Sequence, residues 1–215
     1  MTPLLVLAAV TGGAWGFVAD RIGARWPAHE DGSTRPVDWR TLAVIVAGIL
    51  APTFLVLRYE SDPATLAYLG VLVVALILLF ATDLDQRLLP DVITLPIVAY
   101  ALLGFAGGLG PFVRTPGDLL VAAIAAVAIP GLLYLVSIPF GAGAIGLGDL
   151  KLLVGVGLLA GAARLVATVL IGALAAALGI AILLALRRIR LKSYVPYGPF
   201  LIIGAIWALT ISRGL

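Results

Sequence analysis

The chain has 215 residues, 62% of them apolar and 12% charged, with a mean hydropathy of +1.17 and a formal charge of +3. Soluble domains carry about 25% charged residues, so the composition excludes a soluble globular fold and points to an all-α, polytopic integral membrane protein. There is no cysteine and a single histidine, His29; that excludes disulfides, thiol catalysis and a Cys-based zinc site, and the expectation is a protein without metal or cofactor.

A membrane-spanning helix needs about 20 apolar residues. The first run, 3–19, has no basic residue ahead of it, and Arg21 and Arg25 follow it. A signal peptide needs a positive n-region, so this run reads as an uncleaved span with its N-terminus outside. Residues 20–40 are a polar loop with two prolines, too short to be a domain. Runs at 41–57 and 65–81 come next. The third ends at Phe80 and Ala81, and Asp83, Asp85 and Asp91 follow within nine residues, before the fourth run at 92–108. The fifth run, 118–137, leads to GAGAIGLGDLKLL, from Gly141 to Leu153. The sixth run, 150–160, has only eleven residues; it is tilted, continues into 161–164, or is partly re-entrant. The seventh covers 165–186. Arg187, Arg188, Arg190 and Lys192 separate it from the eighth, 199–211.

Eight spans give the basic residues a consistent side. With the N-terminus outside, ten fall in cytoplasmic loops: Arg21, Arg25, Arg35, Arg40, Arg87, Lys151, Arg187, Arg188, Arg190 and Lys192. Four, Arg58, Arg114, Arg164 and Arg213, fall outside. That bias follows the positive-inside rule and accounts for the net charge without nucleic acid. The whole chain, 1–215, reads as one membrane domain, with 20–40 a short cytoplasmic loop.

Acids beside lipid are costly and are functional candidates by default. Asp83 and Asp149 both sit at cytoplasmic ends of runs, so they can meet. Two carboxylates in one cavity divide their roles: one ionises and the other holds a proton, so the pair can activate water and protonate a leaving group. The alternative from spacing alone is a solvated turn at Asp83, Asp85 and Asp91, with Asp149 as a helix N-cap. Gly141, Gly143 and Gly146 spell G-x-G-x-x-G, but a dinucleotide site needs a strand before it and a soluble helix after it. Glycines at Gly146 and Gly148 instead allow close approach of backbone to a neighbouring helix.

Four segments together resemble the type IV prepilin peptidases, membrane aspartic proteases with a GxGD motif. They are GGAWGFVADRIGARWP from Gly12 to Pro27, DLDQRLLPD from Asp83 to Asp91 with Leu95 and Pro96 after it, GLGDLKLL from Gly146 to Leu153, and VPYGPFL from Val195 to Leu201. The resemblance implies about eight transmembrane helices around a GxGD protease core, with Asp83 and Asp149 as the catalytic pair. Gly146, Gly148, Lys151, Pro90, Pro196, Gly198 and Pro199 would shape the site. Asp85 falls on an accessory position, turned away from Asp83, and Asp91 reads as a cap for the fourth span. Lys151 is either a charge partner near the acids or a snorkelling lysine at a span end.

The implied activity is endoproteolysis of type IV prepilins and pseudopilins of pilus and type II secretion systems. It would take place at the cytoplasmic face of a bacterial inner membrane, with the lipid bilayer as the other partner. A basic substrate leader would suit Asp83, Asp85, Asp91, Glu30 and Asp31. Many members of that family carry a larger first cytoplasmic loop with two CxxC pairs and also N-methylate the mature pilin with S-adenosylmethionine. Here the loop is short and lacks cysteine, so peptidase activity is the primary expectation and methyl transfer the alternative. An ion- or proton-coupled transporter is the non-enzymatic alternative; it calls for acids near mid-span and usually an inverted repeat, and neither is visible in the sequence.

The ten-to-four distribution of basic residues leads to a topology test. A reporter fused after Arg190 should behave as cytoplasmic and one fused after Arg114 as external. The opposite result at both points would overturn the eight-span arrangement.

Overall fold

The computed structural model describes residues 3–28, 32–140, 145–187 and 197–210. Pro196, His29, Glu30, Asp31, Gly141, Gly143 and the basic residues Arg188, Arg190, Lys192 and Arg213 lie outside the described residues.

Among the described residues there are eight α-helices: α1 (Pro3–Gly23), α2 (Trp39–Tyr59), α3 (Pro63–Gln86), α4 (Asp91–Ala106), α5 (Pro116–Ser137), α6 (Leu147–Ala160), α7 (Ala162–Ala185) and α8 (Gly198–Thr210). One 3₁₀ turn, Ile138–Phe140, follows α5. Each helix coincides with one of the eight apolar runs. Five of them, α1, α2, α3, α5 and α7, are long and apolar enough to cross a membrane; the protein is a multi-pass membrane protein. The other three have 16, 14 and 13 residues. A helix of that size is about 20 Å long, against a hydrocarbon core of about 30 Å.

Local chemistry sets several boundaries. Asp38 caps α2 through a capping box with Thr41, and Thr115 caps α5 through a reciprocal box with Asp118, with Pro116 in the first turn. Both arrangements satisfy backbone N–H groups that a helix start leaves open. Asp62 caps α3, with Pro63 in its first turn. Pro52, Pro96 and Pro130 lie inside helices; apolar membrane helices tolerate this because neighbouring helices and local adjustments re-satisfy the freed backbone groups.

Two boundaries differ from the sequence reading. The α3 helix does not stop at Ala81 but continues to Gln86, so Asp83 and Asp85 stand on helix rather than in a solvated turn. It ends at Arg87, which adopts the left-handed conformation at φ 56°, shortly before Pro90, where a helix could not continue. The α6 helix does not run on into 161–164. It breaks at Gly161, at φ 83° and ψ 169°, a region open essentially only to glycine. Arg164 therefore belongs to α7.

The core is built around α3, which packs against α1, α2, α4 and α8. More than half of its span is buried, against 17% for α5, which places α3 at the centre and α5 at the periphery. The main apolar cluster joins Leu69, Leu72, Leu76 and Leu79 of α3 to Leu152 and Val156 of α6 and to Ile202 and Leu209 of α8. The α1 and α2 helices cross backbone to backbone. A side-chain carbon built on Gly12 would overlap the Gly48 carbonyl, and one on Gly16 would come within 2.6 Å of the Val44 carbonyl.

That crossing leaves no room for a side chain. Gly48→Leu should lower stability in detergent by about 1–3 kcal/mol through overpacking, read as a lower thermal midpoint. Gly70→Ala in α3, where an added methyl meets nothing, should be neutral or stabilising.

Candidate active site

Three helix ends meet on one side of the core. The last turn of α3 carries Asp83, which is 4% exposed. The first turn of α6 carries Asp149, 8% exposed. The start of α8 supplies Gly198. A side-chain carbon built on Gly198 would collide with Asp83 Oδ2 and lie 2.8 Å from Asp149 Oδ1. The two carboxylates therefore converge on a single glycine, and any larger residue there would push between them.

The local backbone explains how each acid is presented. The α6 helix starts at Gly146, an extended N-cap with no side-chain cap bond. Asp149 is the third residue of the helix rather than its cap, and the Gly146 backbone N–H faces its carboxylate. Gly148 is a close-approach glycine: a carbon added to it would come within 2.8 Å of Leu89 Cβ and 3.1 Å of the Leu89 carbonyl. Its bareness lets the 87–90 turn lie directly on the first turn of α6. At the α3 end, the Arg87 backbone N–H closes the helix on the Asp83 carbonyl.

A polar cavity of about 60 Å³ lies between these elements, lined by Asp83, Arg87, Leu89, Gly146, Gly148, Asp149, Tyr197 and Gly198. A cavity of that size has room for water. Asp83 Oδ2 is buried and has no hydrogen-bond partner among the described residues. Tyr197 closes the cavity on the α8 side. Burial, and then the charge of Asp149, push its phenol up from the ordinary value, so it stays protonated. Larger hollows lie around Asp62 and Arg114 and along Ala47 and Phe54; neither contains a pair of carboxylates. Among the described residues no three His, Cys, Asp or Glu side chains converge as metal ligands.

The other sequence candidates separate into two groups. Gly146, Gly148 and Gly198 line the cavity. Pro90 is the N-cap of α4, and Pro199 is a buried residue in the first turn of α8; both adjoin the cavity through their neighbours. Lys151 is elsewhere: its Nζ donates to both oxygens of Asp91 at 2.7 Å, on the exposed surface. That answers the question left by its position two residues after Asp149, and its partner is not a cavity acid. It also corrects the reading of Asp91, which makes no cap bond; Pro90 is the cap. Asp85 turns to Arg35 and Arg40, with its Oδ1 at 2.6 Å from Arg35 Nε and 3.0 Å from Arg40 Nη1. Asp85 and Asp91 are thus each already paired with a cation.

The model of the type IV leader peptidase family matches residues 70–184, which include both Asp83 and Asp149. The chain belongs to this family. Among similar proteins of the type IV leader peptidase family are three named prepilin leader peptidase/N-methyltransferase. The one from Aeromonas salmonicida is 34% identical over 179 residues, 80% of this chain and 56% of that protein. The one from Pseudomonas aeruginosa is 30% identical over 159 residues, 72% and 52% respectively. The one from Burkholderia pseudomallei is 34% identical over 188 residues, 85% and 53%. The chain thus spans about half the length of the curated relatives it matches. No solved structure matches it.

Sequence reasoning missed Arg87, Leu89 and Tyr197 as cavity residues. Arg87 carried no usable signal, because it lies just past the end of α3 in the left-handed conformation, where helical spacing does not apply. Leu89 and Tyr197 carried none, since each reaches the cavity through backbone that lies outside the helices.

Proposed function

We propose that this protein is a membrane aspartic endopeptidase that removes the leader peptide of type IV prepilins and pseudopilins, with Asp83 and Asp149 as its catalytic pair. The observation that carries the reading is the convergence of these two buried carboxylates on Gly198, beside a cavity of the size of water. The reaction is placed at the cytoplasmic face of a bacterial inner membrane, within one membrane domain of eight spans, as the basic-residue bias supports.

The chemistry needs only these side chains and water. Two close carboxylates in a buried site hold one proton between them, because both cannot ionise cheaply. The ionised member takes a proton from a water molecule as the water oxygen bonds to the scissile carbonyl carbon. The protonated member gives its proton to the carbonyl oxygen. When the tetrahedral intermediate collapses, the carbon–nitrogen bond breaks and the leaving amine takes up the proton held by one acid. A hydroxyl of the intermediate returns its proton to the other, which restores the singly protonated pair. The pair titrates as a unit. Gly198 and Gly148 hold the three backbones close enough for one water to reach both acids.

The basic leader of a prepilin finds less free acid than composition alone implies. Asp85 is held by Arg35 and Arg40, and Asp91 by Lys151. The names of the relatives couple the peptidase to an N-methyltransferase. The carboxylate pair supports the peptidase half; methyl transfer rests on those names alone.

Cleavage of a co-expressed prepilin, followed by its gel shift, tests the pair. Asp83→Asn and Asp149→Asn should each abolish cleavage while the protein still inserts, and the double variant should be no worse than either, as expected of groups that act together. Gly198→Ala should also cut activity severely, because its methyl would enter the space between the acids. Near wild-type cleavage by Asp149→Asn would end the assignment. Mass analysis of the mature substrate should find an unmethylated N-terminus; a complete one-methyl shift made by this protein alone would show that it is also a methyltransferase.

A further inference from the structure

On the side of α3 opposite the cavity, the loop between α1 and α2 is joined to the helix by a cluster of charges. Among the described residues it brings together three carboxylates, Asp20, Asp38 and Asp85, and three guanidiniums, Arg21, Arg35 and Arg40. Asp20, in the last turn of α1, is fully buried and takes up Arg21, Arg35 and the Thr41 hydroxyl, the last at 2.8 Å. The Arg35 side chain is 9% exposed and lies at the centre, joining Asp20 of α1 to Asp38 at the start of α2 and to Asp85 of α3. Its Nε, 2.6 Å from Asp85 Oδ1, makes an ion-pair contact there without hydrogen-bond geometry.

Two more contacts act on the same turn. Gln86 donates to the Pro27 carbonyl at 2.6 Å. Gly23 packs so closely on α3 that an added carbon would come within 3.1 Å of Ala81 C and 3.2 Å of Thr82 N. Residues 81, 82, 85 and 86 are therefore held from the loop side, while Asp83 between them faces Asp149.

We propose that Arg35 is a positioning residue for Asp83, holding Asp85 so that the last turn of α3 cannot rotate and carry Asp83 away from Asp149. Residues two apart on a helix do not share a face, so anchoring Asp85 on one side fixes the direction of Asp83 on the other. The fork of Arg35 is itself fixed, one Nη on Asp20 and the other on Asp38. Its Nε therefore meets Asp85 from a set position, beside the hydrogen bond that Arg40 Nη1 donates to the same oxygen at 3.0 Å. Apolar packing of the same volume would stabilise the loop equally well or better, but without that directional restraint. The idea rests on the peptidase reading for its kinetic consequence and on geometry alone for its structural one.

Both consequences are measurable on the purified full chain in lipid vesicles, with a prepilin as substrate. Arg35→Gln and Asp85→Asn should each lower kcat by about tenfold to a hundredfold, as misplacement of a reacting group does, with KM unchanged within about twofold. The double variant should be no worse than the worse single one, Arg35→Lys should recover part of kcat, and Arg25→Gln, at an exposed site in the same loop, should be silent. Without substrate, amide hydrogen exchange at 82–87 should accelerate at least about tenfold in Arg35→Gln, with α5 and α7 unchanged. Unchanged kcat per folded molecule, or exchange accelerated equally in every helix, would reduce the cluster to a stability element and overturn the proposal. A wild-type protein that cleaves no prepilin would defeat the peptidase reading instead, and the exchange result would then decide the role of Arg35.

Discussion

The structure depends on the close approach of three helix ends at one glycine. Asp83 and Asp149 come from helices far apart in the chain, and both reach Gly198 because nothing projects from its Cα. Burial of two carboxylates in one cavity is costly, since a charge removed from water must be paired or neutralised; Arg87 is the cation that lines the same cavity among the described residues. The two acids open on a small polar cavity. The starts of α6 and α8, at Leu147 and Gly198, belong to the same constraint. They lie level with the end of α3 instead of extending past it.

Charge is handled in two different ways within a few residues. On one side of the final turn of α3, Asp85 is ion-paired with Arg35 and Arg40. On the other side, Asp83 Oδ2 makes no hydrogen bond among the described residues. Satisfied charge restrains the fold, whereas unsatisfied charge is available for chemistry. The same helical turn carries both because its successive residues face different neighbours.

Glycine has two separate uses around the site. At Gly148 and Gly198 it permits contact between backbone and neighbouring groups. At Gly161 it ends α6 in a conformation closed to other residues. The first kind determines how near the helices come, and the second determines where a helix stops. The α1–α2 crossing at Gly12, Gly16 and Gly48 applies the first use away from the site, and it sets the base from which the 24–38 loop reaches α3.

By itself the sequence determined the class, the number and position of the helices, the family likeness and the two acids worth following. Those features are local: apolar runs, proline and glycine positions, and short motifs are read along the chain without knowledge of packing. Only the tertiary structure decided which charges meet. Arg40 finds Asp85 across 45 residues, and Lys151 finds Asp91 across 60, so Asp91 became an ion-pair partner instead of a cap and Asp85 became the anchor of a loop. Helical periodicity says which face a residue occupies on its own helix. It does not say which helix lies opposite, because that is set by the summed packing of many apolar contacts over the whole bundle.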